Sequence, residues 1–396
     1  MHREDFDFLK QNIIYFDNGA TSLKPQILSE ATADYYNNYS ANAHRGDYDI
    51  SIRVDTLFEE TRHLVGELIN ANADQIAFTN NTTDAINKLV FGYFKNKLNS
   101  GDEILLTKSE HASNVLPWFY LAKEKDLVIK YINLDSHHRI DLDDLKNKIT
   151  NKTKVISIAH VTNVIGDIRP IKEITKIAHD NNILVLVDGA QSVAHMPVDV
   201  KDLDIDFLAF SAHKMCGPTG VGVLYSKKDY LKDIKPIIYG GGMNASFTYD
   251  GAVELVDYPN ILDAGTPNIA GVLGFNKVLK YLMDIGMDNI HNYEINLRNY
   301  AILKLKEVPN IIIYNEDSDT GIITFNIDGI FAQDLAIYLN NYNICVRAGN
   351  HCAKILKDEL GIKNTCRMSL YFYNNESEID ELVYVLSNPN IKNELI

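Results

Sequence analysis

Short runs rich in valine and isoleucine, separated by stretches of helical length, leave this 396-residue chain few folds to choose from. Seven such runs occupy the first two thirds: DQIAFT (74–79), DEILLT (102–107), DLVIKYINL (126–134), TKVISIAHV (153–161), NILVLVD (182–188), DFLAFS (206–211) and GVGVLY (220–225). Between most of them lie segments with a helical period, DAINKLVFGYF and IKEITKIAHD among them. Strands apolar on both faces belong in a sheet covered on both sides, and connections of helical length favour parallel neighbours. The expected fold is therefore α/β, with a mostly parallel central sheet and helices on both faces.

From residue 287 the pattern changes. A long helix (292–307), strands near IIIY and GIITFNI, a helix AQDLAIYLNNY, a strand RMSLYFY and a terminal helix from Glu376 predict a smaller α+β unit. Single cores stop growing at about 250–300 residues, which also favours two units. We expect a large domain over 14–286 and a small C-terminal domain over 287–396, with residues 1–13 packing near the latter. No internal repeat, low-complexity tract or long linker interrupts them.

Charge narrows the partners. With 38 Lys+Arg against 53 Asp+Glu, the net charge of −15 disfavours nucleic acid and anionic membrane surfaces. The charged start MHREDFDFLKQN has no secretory apolar run, and no stretch approaches about 18 uninterrupted apolar residues, so a cytoplasmic protein is expected. Cys216, Cys345, Cys352 and Cys366 form no C-x-x-C pair and read as reduced thiols. A zinc site needs two close pairs of ligands, whereas only His351 and Cys352 are adjacent, so no metal is expected.

Open α/β sheets bind ligands beyond the carboxyl ends of their strands. Asn163 follows one apolar run, Asp188 and Gln191 another, and Ser211, His213 and Lys214 a third. Alone, Asp188 reads equally as a helix cap and Lys214 as a solvated charge. Together they fit pyridoxal phosphate (PLP), whose aldehyde needs an amine for a Schiff base and whose ring nitrogen needs a carboxylate to stay protonated. In TNNTTDAIN (79–87), Thr82 and Thr83 stand where a strand gives way to a helix, a place that suits a phosphate and also a helix cap. Thr83, Ser211 and His213 are the leading phosphate candidates. His111, in SEHASNVLPW, follows a strand end from which it can stack on the pyridine ring and move protons near neutral pH.

These segments, together with YFDNGATSLKP (15–25), NAHRGDYDIS, AGTPN, VRAGNHCA and TCRMSLYFYN, resemble in order and spacing the cysteine desulfurases of the class V aminotransferase group, which are fold-type I PLP enzymes. The resemblance covers almost the whole chain. It implies Lys214 as the Schiff-base lysine, Asp188 as the ring-nitrogen partner, Gln191 against the ring hydroxyl and His111 stacked on the ring. It also implies a homodimer with shared sites, in which Thr266 reaches the phosphate of the other subunit and His44 and Arg45 line that subunit's entrance. Arg367 matches the arginine that grips the substrate carboxylate, a task for a planar fork. Asn163 is expected to assist at cofactor or substrate.

The stretch VRAGNHCAKI (346–355) places Cys352 between His351 and Ala353 in a short polar loop. A free cysteine is often just a small buried hydrophobe. The resemblance instead implies a nucleophile that takes the sulfur of L-cysteine as a persulfide and leaves alanine, with Arg347 and Lys354 as nearby cations favouring the thiolate. The compact segment between Cys352 and Arg367 is similar to that of the group II (SufS-like) enzymes, which implies slow turnover until an acceptor protein removes the persulfide, for iron–sulfur cluster assembly or thiolation. The same resemblance implies L-selenocysteine as a related second substrate. Three positions depart from the family pattern: Asn350 replaces a His, Ala212 replaces a Gly, and GGGMN (240–244) is shorter than its counterpart. The competing readings are another class V aminotransferase or lyase that does not use Cys352, and a noncatalytic dimeric scaffold.

Overall fold

The computed structural model describes residues 1–43 and 46–394. All seven apolar runs become strands of one sheet: β1 (Ile76–Thr79), β2 (Glu103–Thr107), β3 (Val128–Ile132), β4 (Thr153–Ala159), β5 (Leu184–Asp188), β6 (Phe207–Ser211) and β7 (Gly222–Ser226). Their order is β1-β7-β6-β5-β4-β2-β3. Strands β6, β5, β4, β2 and β3 are mutually parallel, and β7 runs antiparallel to both of its neighbours.

The two-residue period of each strand sends alternate side chains to opposite layers. Ile156, Ile158, Val185, Val187 and Leu208 pack with Leu28 of α1 (Gln26–Asn38), Phe58 of α2 (Asp49–Ile69), Ile174 of α4 (Ile171–His179) and Leu279 of α5 (Ile269–Ile285). Val155, Leu186, Phe207 and Ala209 face the other way, onto Trp118 and onto Ile86 and Leu89 of α3 (Thr82–Leu89). Both faces being covered explains why the strands read as continuous apolar runs rather than as alternating ones. From β2 the chain steps to β3 on one side and then to β4, β5 and β6 on the other. The resulting crevice at the carboxyl ends is where such sheets take ligands.

A second, antiparallel sheet follows, built from β8 (Ile311–Ile313), β9 (Ile322–Ile327), β10 (Arg347–Gly349) and β11 (Thr365–Ser369) in the order β8-β9-β11-β10. With α6 (Met287–Leu305), α7 (Ala332–Asn340) and α9 (Glu376–Leu386) it encloses a separate core that includes Leu297, Phe325, Leu335, Met368 and Leu382.

Three details differ from the sequence reading. The long helix begins at Met287 and ends at Leu305. The strand expected over RMSLYFY lies earlier, at Thr365–Ser369, so Arg367 stands at its centre rather than at its start. The ladder stops there because Asn374 Oδ1 accepts the Tyr371 N–H at 2.9 Å, and Tyr371, Phe372 and Tyr373 pack into the core of the large sheet. The segment VRAGNHCA, read as loop, contains β10 and leads directly into the short helix α8 (Lys354–Leu360).

The N-terminal segment reaches the same region. Ile14–Tyr15 pairs in parallel with Ile344–Cys345, and Arg3 donates to the Tyr373 carbonyl at 3.0 Å and pairs with Glu378 at 2.7 Å. Among the described residues no helix is long and apolar enough to cross a membrane.

Candidate active site

A cavity of about 390 Å³ opens at the carboxyl ends of β2, β4, β5 and β6, and the small sheet closes its far side. Lys214, Asp188, Gln191, His111, Asn163 and Arg367 line it, and so do Thr82, Thr83, Ser211 and His213. These residues come from six separate places in the sequence, and the topology alone brings them together.

At the floor, Lys214 closes the turn Ala212–Lys214 after β6. Enclosure lowers its amine to about 8, although Asp188 pulls in the opposite direction. Asp188 ends β5 with 4% of its surface exposed, and burial raises its carboxyl to about 6 against the Ala190 N–H and the Lys214 charge. That N–H donates to Oδ1 at 3.0 Å and fixes the carboxylate plane. Gln191 donates through Nε2 to the Gly19 carbonyl at 2.9 Å, while its buried Oε1 has no partner.

His111 is pinned through Nδ1, which accepts from the Ser113 N–H at 3.1 Å. Burial first, then Lys214, Arg347 and Arg367, lower it to about 4. This corrects the expectation of a group titrating near neutrality, because a half-enclosed imidazole beside three cations stays neutral across that range.

At the other end, α3 starts directly after β1. Asn81 caps it by accepting from the Asp84 N–H at 2.9 Å, so Thr82 and Thr83 occupy the first turn rather than the cap. The Thr82 N–H donates to Ser211 Oγ at 2.7 Å, the Thr82 and Ser211 hydroxyls lie 2.6 Å apart, and the Thr83 hydroxyl meets that of Ser113 at 2.7 Å. A Cβ on Gly222 would stand 2.5 Å from Asn81 Cα, so only glycine lets β7 approach this turn. His213 is lowered to about 4 by burial and by Lys214 and Lys24, which leaves a neutral ring.

Rotatable hydroxyls at a helix N-terminus are a phosphate's natural donors. Together with these donors, the unpaired acceptors Gln191 Oε1 and Asn163 Oδ1 and the Lys214/Asp188 floor make a set of polar groups that fits PLP.

The small sheet supplies the remaining wall. Arg367 of β11 lies in register with Arg347 of β10, and both line the cavity. Arg367 is fully buried; Nη1 donates to the Asn163 carbonyl at 2.9 Å and Nη2 to Asp17 Oδ1 at 3.0 Å, while Nε has no partner. A Cβ on Gly19 would lie 3.1 Å from Arg367 Cζ, so that glycine makes room for the guanidinium.

Cys352 is exposed and follows β10 at the mouth of the cavity, with Arg347 Nη2 3.9 Å from its Sγ. Three contacts hold its loop: Asn163 Nδ2 to the His351 carbonyl at 2.7 Å, the Ala112 N–H to the Cys352 carbonyl at 2.8 Å, and His351 Nε2 to Thr365 at 3.0 Å. His351 and Cys352 both sit in the left-handed region, at φ 51° and 57°, a conformation that non-glycine residues adopt at a cost. Lys354, expected to favour the thiolate, turns instead to Asp358 at 2.5 Å, which leaves Arg347 as the cation at the sulfur. Cys216 and Cys366 are buried, with thiols pushed up to about 12.

Thr266 stands apart. It lines an adjoining groove that shares Asn80 and Gly220 with the cavity, and it accepts from Asn42 Nδ2 at 3.4 Å. His44 and Arg45 lie outside the described residues. Sequence reasoning missed Asp17 as the partner of Arg367 and Arg347 as a cavity wall. It also missed the fully buried Glu110–Arg169 pair, through which Glu110 takes the Ala159 N–H at 2.8 Å and braces the His111 loop against β4. The only signal for Asp17 was its place in YFDNGATSLKP; nothing local marks Glu110.

The aminotransferase class-V family model matches residues 14–382. The cysteine desulfurase of Haloferax volcanii is 40% identical over 375 residues, covering 94% of this chain and 88% of that protein. Among solved structures, the apo cysteine desulfurase from Thermococcus onnurineus NA1 superposes with a TM-score of 0.94 at 37% identity, over 99% of this chain and 97% of that one. The S-sulfonic acid form of the cysteine desulfurase CsdA from Escherichia coli gives 0.93 at 34% identity, over 100% and 98%. One family model thus spans both sheets and every wall of the cavity, and the chain belongs to the aminotransferase class-V family.

Proposed function

We propose that this chain is a PLP-dependent cysteine desulfurase of fold type I, converting L-cysteine to L-alanine and taking the sulfur onto Cys352 as a persulfide. The observation that carries the reading is one exposed thiol, Cys352, beside Arg347 at the mouth of a cavity that holds Lys214, Asp188 and Arg367.

Bound PLP supplies an electron sink that weakens the bond between the amino acid's β-carbon and its sulfur. Lys214 Nζ is the attachment amine and carries the proton at the substrate α-carbon. Its lowered affinity for protons leaves a substantial neutral fraction near pH 8. Asp188 holds the ring nitrogen's proton, and Gln191 meets the ring hydroxyl. Thr82, Thr83, Ser211 and His213 hold the phosphate, and the neutral His111 ring covers the pyridine face and excludes water. Arg367 grips the substrate carboxylate with Nε and the adjacent edge of its fork, held in place by Asp17 and by the Asn163 carbonyl. Arg347 stabilises the Cys352 thiolate, which takes the substrate's sulfur.

The two cores support a large domain over 14–286 and a small one over 287–396; of residues 1–13, Arg3 reaches Tyr373 and Glu378 near the small one, while Phe6 and Leu9 pack into the large core. Thr266 lies outside its own chain's cavity, which supports a homodimer in which Thr266, His44 and Arg45 serve the facing site. The exposed sulfur suits delivery to an acceptor protein in the cytoplasm, for iron–sulfur cluster assembly or thiolation, and L-selenocysteine suits the same pocket.

Incubation with PLP, L-cysteine and dithiothreitol yields alanine and sulfide in equal amounts, and Cys352→Ser abolishes both. A transaminase that does not use this thiol would keep its activity. Borohydride reduction followed by mass spectrometry places the cofactor label on Lys214; a label on any other lysine sinks the reading.

A further inference from the structure

The surface beside Cys352 reverses the sign of the rest of the molecule. The chain carries a net charge of −15, yet the groove flanking the nucleophile loop, about 460 Å³, is lined by Lys354, Lys357 and Lys363 against a single carboxylate, Asp358. Asn350, two residues before the thiol, forms part of the same groove. Asp358 is taken up by Lys354 at 2.5 Å, and Glu359, on the same helix, by Lys108 at 2.7 Å. Arg347, at the sulfur itself, forms no ion pair among the described residues, and neither do Lys357 and Lys363. Lys357 is buried, with Nζ donating to Thr365 Oγ1, so the exposed charge of the groove rests on Lys354 and Lys363. On an acidic protein such a patch survives only as a local potential, and that potential attracts anions to the one exposed thiol.

We propose that this groove docks an acidic, thiol-bearing segment of the sulfur acceptor; the proposal rests on the desulfurase reading and names the partner chemistry of that same site. The acceptor's cysteine, flanked by Asp or Glu, approaches along α8. Its thiolate attacks the outer sulfur of the Cys352 persulfide, a new S–S bond forms on the acceptor, and the bond from Sγ to that sulfur breaks. Cys352 leaves as a thiolate beside Arg347 Nη2, and the proton of the acceptor thiol passes to solvent. One sulfur atom changes carrier, with no external oxidant or reductant. The absence of a His at position 350 leaves amide and lysine groups to meet the partner, so recognition runs on charge.

The test uses holoenzyme charged with persulfide by a pulse of L-cysteine, and two synthetic peptides with one cysteine each, flanked either by glutamates or by lysines. At about 50 mM salt, transfer followed by mass spectrometry is about tenfold faster to the glutamate peptide, and the preference shrinks at about 500 mM. Lys363→Glu lowers the rate to the acidic peptide several-fold and Asp358→Asn raises it, opposite directions that a general loss of folding cannot produce. In both variants alanine formation with dithiothreitol is unchanged. Equal rates for the two peptides, or a preference indifferent to Lys363→Glu, overturn the docking proposal while alanine formation stands. Failure of the wild-type protein to form alanine with dithiothreitol overturns the desulfurase reading beneath it.

Discussion

Arg367 is a fully buried cation with one carboxylate partner, and the substrate carboxylate must join Asp17 at the same guanidinium. A lysine at this position keeps the charge but offers a single point rather than a fork. Arg367→Lys is expected to raise KM for L-cysteine by at least tenfold, consistent with about 1.5–3 kcal/mol for a charged hydrogen bond, with a smaller effect on kcat. Steady-state kinetics of the holoenzyme measure it. His111 offers a test in pH. Burial and three cations hold its proton affinity down at about 4, so it is protonated only below that value and stays neutral throughout the working range. The pH profile of kcat between 5 and 8 is therefore expected to keep its shape in His111→Asn even as the rate falls. Movement of an inflection near 6.5 would show that the imidazole titrates during turnover.

Asn163 links three things within one side chain and its own carbonyl: the cavity wall, the Cys352 loop through His351, and Arg367. Asn163→Ala removes the Nδ2 bond that restrains two left-handed residues, so amide hydrogen exchange across 350–354 is expected to accelerate while exchange in β11 is unchanged. At the phosphate end, Asn81→Ala removes the cap of α3 and is expected to cost about 1 kcal/mol in urea denaturation, together with weaker retention of PLP. The elements were unevenly legible. Seven strands were readable because each is an apolar run bounded by breakers; six are buried on both faces, and the edge strand Val128–Ile132 is only partly covered. Lys214, Asp188, Ser211 and His213 followed from strand ends. RMSLYFY misled because Tyr371–Tyr373 is as apolar as the strand before it, yet it belongs to the other core. Helix α8, with seven residues, is too short for a period to show. Asp17 with Arg367 and Glu110 with Arg169 are pairings that distant segments make only after folding, and no local spacing announces them.

Across the whole molecule, the Glu110–Arg169 pair stands out as an ion pair with both side chains fully buried beside the cavity. Both side chains are fully enclosed, and Arg169 also reaches Thr107 and Ser109 at 2.7 and 2.6 Å. Removing one partner strands the other, so Arg169→Leu is expected to destabilise the protein by about 3–5 kcal/mol in equilibrium urea unfolding. Stability should also depend on alkaline pH in a defined direction. Lys24, Lys214 and Lys357 each have their affinity lowered by burial, from 10.5 to about 8. Between those values the unfolded chain binds more protons than the native one, so these groups add stability as pH rises from about 8 toward 10.5 and weaken the fold below it. The urea midpoint of the apoprotein, compared with that of Lys24→Met across this window, reads the contribution.

The cavity takes one wall from each of two separately cored sheets, Lys214 and Asp188 from the large one and Arg347 and Arg367 from the small one. An amino acid clasped at its carboxylate by one slab and at its amine by the other acts as mortar in a joint. Occupancy and cohesion then rise together, by about 2.7 kcal/mol at a hundred times the dissociation constant, so the melting curve of the loaded protein becomes a titration of its own substrate.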